Sequence, residues 1–352
     1  MALTLTSVTD PLTLGFDAVI DVRSPAEFAE DHLPGAINLP VLDDAERARV
    51  GTIYKQESPF LARKIGAALV ARNAARHLED TLAEMPGGWR PLVYCWRGGQ
   101  RSGSFATILS QVGWRVELVQ GGYKSWRKLV VGALETPPAA PVVVLDGNTG
   151  SAKTELLHHL AGLGMQTLDL EGLANHRGSL FGHMPGGQPS QKAFEGRVAT
   201  ALARLDPKAP VVVEAESSRI GDLSVPKGLW AAMTAAPRIH IRAPLDARAA
   251  YLARAYADVG ADTGRLTGII DRLRPSHAGE VIESWLKLAA EGQTQVLAAD
   301  LMRRHYDPRY EKHRARYARP DDPEVAAPDL SPTALPELAG RIAAAIAGLP
   351  AL

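Results

Sequence analysis

Two stretches of this chain carry residue types at spacings that could do chemistry. Cys95, the only cysteine, ends the apolar run Val93-Tyr94 and opens Trp96-Arg97-Gly98-Gly99-Gln100-Arg101-Ser102. A thiol at a strand end, wrapped by backbone N–H groups and feeding a helix N-terminus, has its pKa lowered by those dipoles and by Arg97 and Arg101. The pattern predicts a nucleophilic thiolate in an anion-binding cradle. A buried inert thiol is the bland alternative, and the glycines and arginines that follow weigh against it. The second stretch, Gly147-Asn148-Thr149-Gly150-Ser151-Ala152-Lys153-Thr154, follows the continuous apolar strand Val142-Val143-Val144-Leu145-Asp146 and precedes an apolar-periodic helix over 155–163. Strand, glycine loop, Lys-Thr and helix form the context of a phosphate-binding P-loop. Backbone N–H groups from Gly147 to Ala152 would wrap the phosphate, Lys153 would add charge, and Thr154 is a candidate Mg²⁺ ligand. Ala152 stands where such loops have glycine; it fits if its φ stays negative, and it lowers the expectation of nucleotide hydrolysis.

Other segments flank these two. His176-Arg177-Gly178-Ser179 and Gln188-Pro189-Ser190-Gln191 are too polar and glycine-rich for a core and read as a substrate loop. The apolar strand over 210–213 ends in Glu214-Ala215-Glu216-Ser217-Ser218-Arg219, which suits the second, acidic strand of a P-loop domain. Arg177, Glu214, Glu216 and Arg219 are therefore candidate partners of the phosphate site. Downstream, 303–317 interleaves cations with tyrosines. Stacking rings beside phosphate contacts are what single-stranded RNA binding uses, so Arg303, Arg304, Tyr306, Arg309, Tyr310 and Arg314 are candidate RNA contacts.

The elements that must position these residues follow from periodicity. Strands are expected at 18–23, 91–94 and 115–119 and helices at 59–85, 104–112 and from Gly121. That alternation implies a parallel sheet covered on both faces. Glu135-Thr136-Pro137-Pro138-Ala139-Ala140-Pro141 reads as a stiff linker. The expected organisation is a first domain over 1–134, a linker over 135–141, a P-loop domain over 142–319 with a helical, basic C-terminal part, and a proline-rich segment with a terminal helix over 320–352. Clear helices are expected at 245–256 and 282–304. At 352 residues, with 46% hydrophobic and 22% charged residues, the chain reads as globular with two cores. Lys+Arg and Asp+Glu both total 39, so any nucleic-acid surface must be a local patch. A single cysteine excludes a disulfide framework, and no apolar run reaches the roughly 18 residues that span a bilayer. A cytoplasmic protein without a membrane partner is expected.

Asp21-Val22-Arg23, Glu27-Phe28, His32-Leu33-Pro34-Gly35-Ala36-Ile37-Asn38, the Cys95 loop and Gly121-Gly122-Tyr123 resemble the rhodanese family in order and spacing. The resemblance implies sulfur-type atom transfer through Cys95, with Asp21, Arg23 and His32 either catalytic or holding the fold. The Cys95 loop is one residue longer than in typical sulfurtransferases of that family, and so resembles related phosphatases and arsenate reductases. A wider cradle suits a tetrahedral phosphate-like anion.

A rhodanese domain ahead of a P-loop NTPase-like α/β domain, together with His305-Tyr306-Asp307-Pro308 and the segments above, resembles the tRNA 2-selenouridine synthase family across nearly the whole chain. That resemblance implies conversion of 2-thiouridine at the tRNA wobble position to 2-selenouridine through S-geranyl-2-thiouridine. Geranyl diphosphate and selenophosphate would be co-substrates, with Mg²⁺ as a candidate companion and no tightly bound cofactor. Cys95 would accept selenium, with Arg97 and Arg101 binding the donor's phosphate. Two other classes remain open on the residues alone: a rhodanese-type sulfurtransferase or arsenate reductase-like enzyme, and a P-loop kinase with a regulatory rhodanese module.

Overall fold

A computed structural model of the chain describes residues 2–314, 317 and 319–350, without the side chains of Glu311, His313 and Arg314. The chain divides into two compact units. One comprises Met1–Thr136 with Pro189–Arg204, the other Pro137–Gln188 with Leu205–Leu352.

The first unit is built on β1 (Ala2–Leu3), β2 (Ala18–Asp21), β3 (Ala36–Asn38), β4 (Pro91–Tyr94) and β5 (Glu117–Val119), in the order β1-β5-β4-β2-β3. Every pairing is parallel, with Val19 opposite Leu92 and Asp21 opposite Tyr94. Helices cover both faces, which is why all four residues of β4 are buried. Phe105 and Leu109, on the helix Gln100–Val112, pack on Val93 and Cys95.

At the end of β2, Arg23 grips Asp21 through Nε and Nη2 at 2.6–3.0 Å and donates from Nη2 to the Asp31 carbonyl at 2.5 Å. The Tyr123 ring lies 4.1 Å from its guanidinium. Both charges are buried, and His32 spends Nδ1 on the Phe28 carbonyl at 2.9 Å. These contacts assign Asp21, Arg23 and His32 to holding the fold.

The helix Gln191–Leu202 belongs to this unit, although the expected division had placed it with the second domain. It packs against the helix Gly122–Glu135: Trp126 reaches the Gly196 face so closely that a Cβ there would meet its ring at 2.8 Å, and Arg127 pairs with Glu195. Nothing in the local periodicity of residues 189–204 announces which sheet they serve.

The second unit is built on β6 (Val142–Gly147), β7 (Gln166–Leu168), β8 (Val211–Glu214), β11 (Arg238–Arg242) and β12 (Glu324–Ala326), with a separate hairpin of β9 (Arg219–Ile220) and β10 (Leu223–Ser224). The main sheet has the order β12-β11-β6-β8-β7, again all parallel. β12 lies in the proline-rich segment, where no strand was expected. Its three residues, close to prolines, give too short an apolar signal to be read as a strand. The terminal helix Leu335–Ala347 packs Leu338, Ile342 and Ile346 against Leu156 and Leu160 of the helix Lys153–Gly162, so it completes the core rather than trailing from it.

A second helical core surrounds Ile270, Ile282 and Trp285. The expected long helix over 282–304 is broken into Gly279–Ala290 and Thr294–Leu301 at Gly292, whose φ is +68°. Glycine reaches that backbone region freely. A π-helical turn, Met302–Tyr306, then leads into the helix Asp307–Arg314. No helix among the described residues is long and apolar enough to cross a membrane.

Candidate functional site

The chemistry expected of the sequence falls at two separate sites, one in each unit. In the first, Cys95 sits just beyond β4 and directly before the helix Gln100–Val112. It is 4% exposed. Its Sγ accepts hydrogen bonds from the Gly99 N–H at 3.3 Å and the Ser102 hydroxyl at 3.1 Å. Burial pushes the thiol up. The Ser102 and Gly99 hydrogen bonds and the nearby Arg101 charge outweigh it, and the net shift is downward.

The loop is held from below by the Gly121-Gly122 turn. Tyr123 N–H donates to the Cys95 carbonyl at 2.8 Å, and Lys124 N–H donates to that of Trp96 at 3.0 Å. Gly122 has a φ of +59°, and a Cβ there would lie 2.2 Å from the Cys95 carbonyl oxygen and 2.6 Å from the Gly98 nitrogen. Gly122→Ala is therefore expected to cost about 3 kcal/mol or more in urea unfolding and to slow alkylation of Cys95 as the loop shifts. A loss below about 1 kcal/mol with unchanged alkylation would overturn this account.

The cavity over Cys95 is about 570 Å³. Arg97 and Arg101 both line it, as expected, but they differ in freedom. Arg101 donates from Nη1 to Glu27 Oε2 at 2.6 Å, whereas Arg97 is exposed. The helix Asp44–Gln56 adds Arg47, Tyr54 and Lys55 to the lining. Sequence reasoning missed these three because their helix carries no motif; a count of cations on its face was the only signal. A thiol of lowered pKa in a cavity lined by four cationic side chains, of which Arg101 and Arg47 also face Glu27, can hold an anion next to a nucleophile.

In the second site, the loop from Gly147 to Thr154 links β6 to the helix Lys153–Gly162. Gly150 has a φ of +84°, and a Cβ there would meet Leu252 Cγ at 2.9 Å and the Arg248 carbonyl at 3.0 Å. Ala152 corrects the expectation of negative φ: it takes +59° and is buried. The turn that aims successive N–H groups inward demands this backbone, and alanine bears a strain of about 1 kcal/mol. Behind the loop, Arg248 binds Asp307 through both nitrogens at 2.9 Å and donates to the Thr149 carbonyl at 3.1 Å, while Asn148 donates to Asp307 at 3.2 Å. This buried latch ties the loop to the helix Asp307–Arg314. Of its residues, Asn148 and Thr149 were singled out in the sequence as part of the phosphate loop and Asp307 within His305-Tyr306-Asp307-Pro308, whereas Arg248 was not.

The loop faces a cavity of about 430 Å³ lined by Thr149 to Thr154, Glu171, Arg177, Glu216, Tyr256 and Tyr310, among others. Lys153 Nζ rests on the Gly147 carbonyl at 3.0 Å with the Tyr310 ring 5.7 Å away. Thr154 donates to Glu171 at 2.7 Å. Arg177 pairs with Asp258 at 2.9 Å and lies over the Tyr256 ring. Glu214 is fully buried behind the wall, accepting the Glu171 N–H at 2.9 Å, and its carboxyl is pushed well up by burial and by the charges of Glu171 and Glu216. Glu171, on the five-residue helix Leu170–Ala174, was missed in the sequence because no motif precedes it. Arg219 sits exposed on the β9–β10 hairpin with Nη2 near the Asp222 carbonyl, away from the cavity lining, so the structure does not bring it to the phosphate site.

Glu216 is pushed up to about 8 by burial and then by the charge of Glu171, with Lys153 opposing. A carboxyl raised above its ordinary 4.5 stabilises the fold fully below that value and loses the contribution as pH rises through about 8. Thermal unfolding should therefore weaken between these pH values more steeply in the native protein than in Glu216→Gln. The difference is at most about 1.4 kcal/mol per pH unit. Parallel profiles in differential scanning calorimetry would overturn the assignment.

Among the described residues, no group of three or more His, Cys, Asp or Glu side chains is arranged to hold a metal ion. Thr154 and Glu171 fit Mg²⁺ only as the companion of a bound diphosphate, whose oxygens would complete the shell.

Of the candidate RNA contacts, Arg303, Arg304 and Arg309 are exposed, with Arg304 paired to Asp300 at 2.9 Å. Tyr306 and Tyr310 turn inward instead, Tyr310 into the wall of the P-loop cavity and Tyr306 into an apolar cavity beside it. The π-helical turn rotates these rings away from solvent, and neither is a surface stacking platform. The side chain of Arg314 lies outside the described residues.

Comparison with known proteins agrees with both halves. The family described as "Rhodanese-like domain" matches residues 4–129, and that described as "tRNA 2-selenouridine synthase AAA domain" matches 140–268. A tRNA 2-selenouridine synthase of Chromohalobacter salexigens is 40% identical over 68% of this chain and 65% of its own length, just under two thirds. Those of Psychromonas ingrahamii (34% identical, 83% of this chain, 87% of the relative) and Aeromonas salmonicida (35%, 83% and 86%) align more fully. Two family models that match residues 4–129 and 140–268, and relatives aligned over 83% of the chain, lead to one conclusion: this chain belongs to the tRNA 2-selenouridine synthase family.

Proposed function

We propose that this protein is a tRNA-modifying transferase that exchanges sulfur for selenium in 2-thiouridine at the wobble position. The observation that carries the reading is the pairing, in one family member, of a lowered-pKa thiol in a cationic cradle with a phosphate loop. A thiocarbonyl sulfur leaves poorly, and an alkylated one leaves well. In the first stage the uridine sulfur would attack C1 of geranyl diphosphate: the S–C bond forms, the C–O bond breaks, and diphosphate leaves with the electron pair. The loop residues, Lys153 and Arg177 line one cavity, and their N–H groups and charges would stabilise that leaving group. In the second stage the Cys95 thiolate would take the phosphoryl group, not the selenium, of a selenophosphate held by Arg97, Arg101, Arg47 and Lys55. The S–P bond forms as the Se–P bond breaks, the released hydrogen selenide adds at C2 as geranyl thiol departs, and water hydrolyses the S–P bond to phosphate and the free thiol. Glu216 on the wall of the phosphate-loop cavity and Glu214 behind it suit the binding of diphosphate, because burial pushes both carboxyls toward the neutral form, which repels an anion less.

Nucleoside mass spectrometry of thiolated tRNA, incubated with the protein and geranyl diphosphate, tests the reading. A geranyl adduct without selenophosphate, converted to 2-selenouridine on its addition, is the expected result. Neither product from folded protein and thiolated tRNA would overturn it, and sulfur transfer from Cys95 would then be assayed.

A further inference from the structure

Beside the phosphate loop lies a second cavity, inside the helical core of the same unit. The two cavities share Thr149, Ser179, Leu252 and Tyr256 as walls, so the apolar one begins where the loop's phosphate cradle ends. Its lining contains no charged or amide side chain; hydroxyls are its only polar groups. A purine or pyrimidine base placed there would find only the hydroxyls of Thr149, Ser179, Tyr256, Thr294 and Tyr306 for its ring nitrogens and exocyclic groups, and each group left unpaired would be buried at a cost. A hydrocarbon chain would lose nothing and gain the burial of its own surface.

We infer that this cavity receives the hydrocarbon chain of an allylic diphosphate whose phosphates sit on the loop, and that Ala253, Gly260 and Ala298 set the chain length accepted. The inference rests on the functional reading above and adds the chain's site and its length gauge. Ala253 belongs to the helix Leu245–Ala255 and Ala298 to the helix Thr294–Leu301, which pack together, and both face the cavity. Gly260 also lines it, and a Cβ there would come within 3.1 Å of Thr294 Cγ2. Larger side chains at these positions would close the cavity. About 80 Å³ is open before any side chain moves. Met302, at the start of the π-helical turn, is an unbranched wall whose Sδ accepts from Arg248 at 3.5 Å, and turning it aside would lengthen the cavity at the cost of that contact.

The test measures binding of inorganic diphosphate, dimethylallyl diphosphate and geranyl diphosphate to the full chain by calorimetry. The three are compared in the native protein, in Ala298→Phe and in Ala253→Leu, with melting temperatures as a check on folding. The native protein should bind geranyl diphosphate at least roughly tenfold tighter than inorganic diphosphate, with the dimethylallyl compound between them. Both variants should lose most of that gain while still binding inorganic diphosphate. Equal affinity of the native protein for all three would overturn the inference, as would variants that keep the geranyl preference. Should one variant fail to fold, the other and the native series still decide. If the chain-length preference appears but no geranyl reaches thiolated tRNA, the functional reading fails while the cavity assignment stands.

Discussion

Cys95→Ala should abolish conversion of S-geranyl-2-thiouridine to 2-selenouridine, by a factor on the order of a thousand or more, while leaving geranyl transfer within about twofold. The argument is local. Cys95 Sγ is the acceptor of both Ser102 and Gly99, and Cys95 is the only cysteine of the sequence, so no second thiol can replace it. The substitution should fold: Ser102 keeps a second acceptor in the Gly99 carbonyl at 3.3 Å, so the structural cost is about 1–2 kcal/mol. Cys95→Ser, which keeps shape and hydrogen bonds but not the thiolate, should be as inactive. Retained selenation in either variant, measured by nucleoside mass spectrometry on pre-geranylated tRNA, would remove Cys95 from the mechanism.

Lys153→Ala should have the opposite pattern. Its ammonium rests on the Gly147 carbonyl and beside the Tyr310 ring, a position from which it can turn to a phosphate bound in the loop. Removing one such donor typically costs about 10²–10³ in rate. Geranyl transfer should fall by that factor while selenation of pre-geranylated tRNA persists, and stability should change by under about 1 kcal/mol because only one partly exposed hydrogen bond is lost. Equal loss of both steps in both variants would end the division of labour between the two sites.

What could be read from the sequence was the chemistry carried by short-range pattern. β4 and β6 are unbroken apolar runs ending at a cysteine and a glycine loop, and both features depend on neighbours a few residues apart. Glu171, Arg248, Lys55 and Arg47 were not legible, since each reaches its site through the fold, from a helix whose own periodicity reports only packing. Tyr306 and Tyr310 were read as exposed because cations flank them. The π-helical turn, which no local residue type signals, points both rings inward. Ala152 was legible in position but not in conformation: sequence shows the missing glycine, and only the loop's geometry shows that alanine bears a positive φ there.

The assignment of Pro189–Arg204 to the first unit bears on how the protein is made. A nascent chain usually folds its N-terminal domain as soon as that domain has emerged. Here the first unit waits for the helix Gln191–Leu202, which leaves the ribosome only after β6, the phosphate loop and β7. The second waits longer, for Leu338, Ile342 and Ile346 of its closing helix. The two units are thus interleaved in time as well as in sequence. Slowing translation after residue 136 would prolong a state in which the Trp126 face is uncovered, the interval in which a chaperone would find this chain.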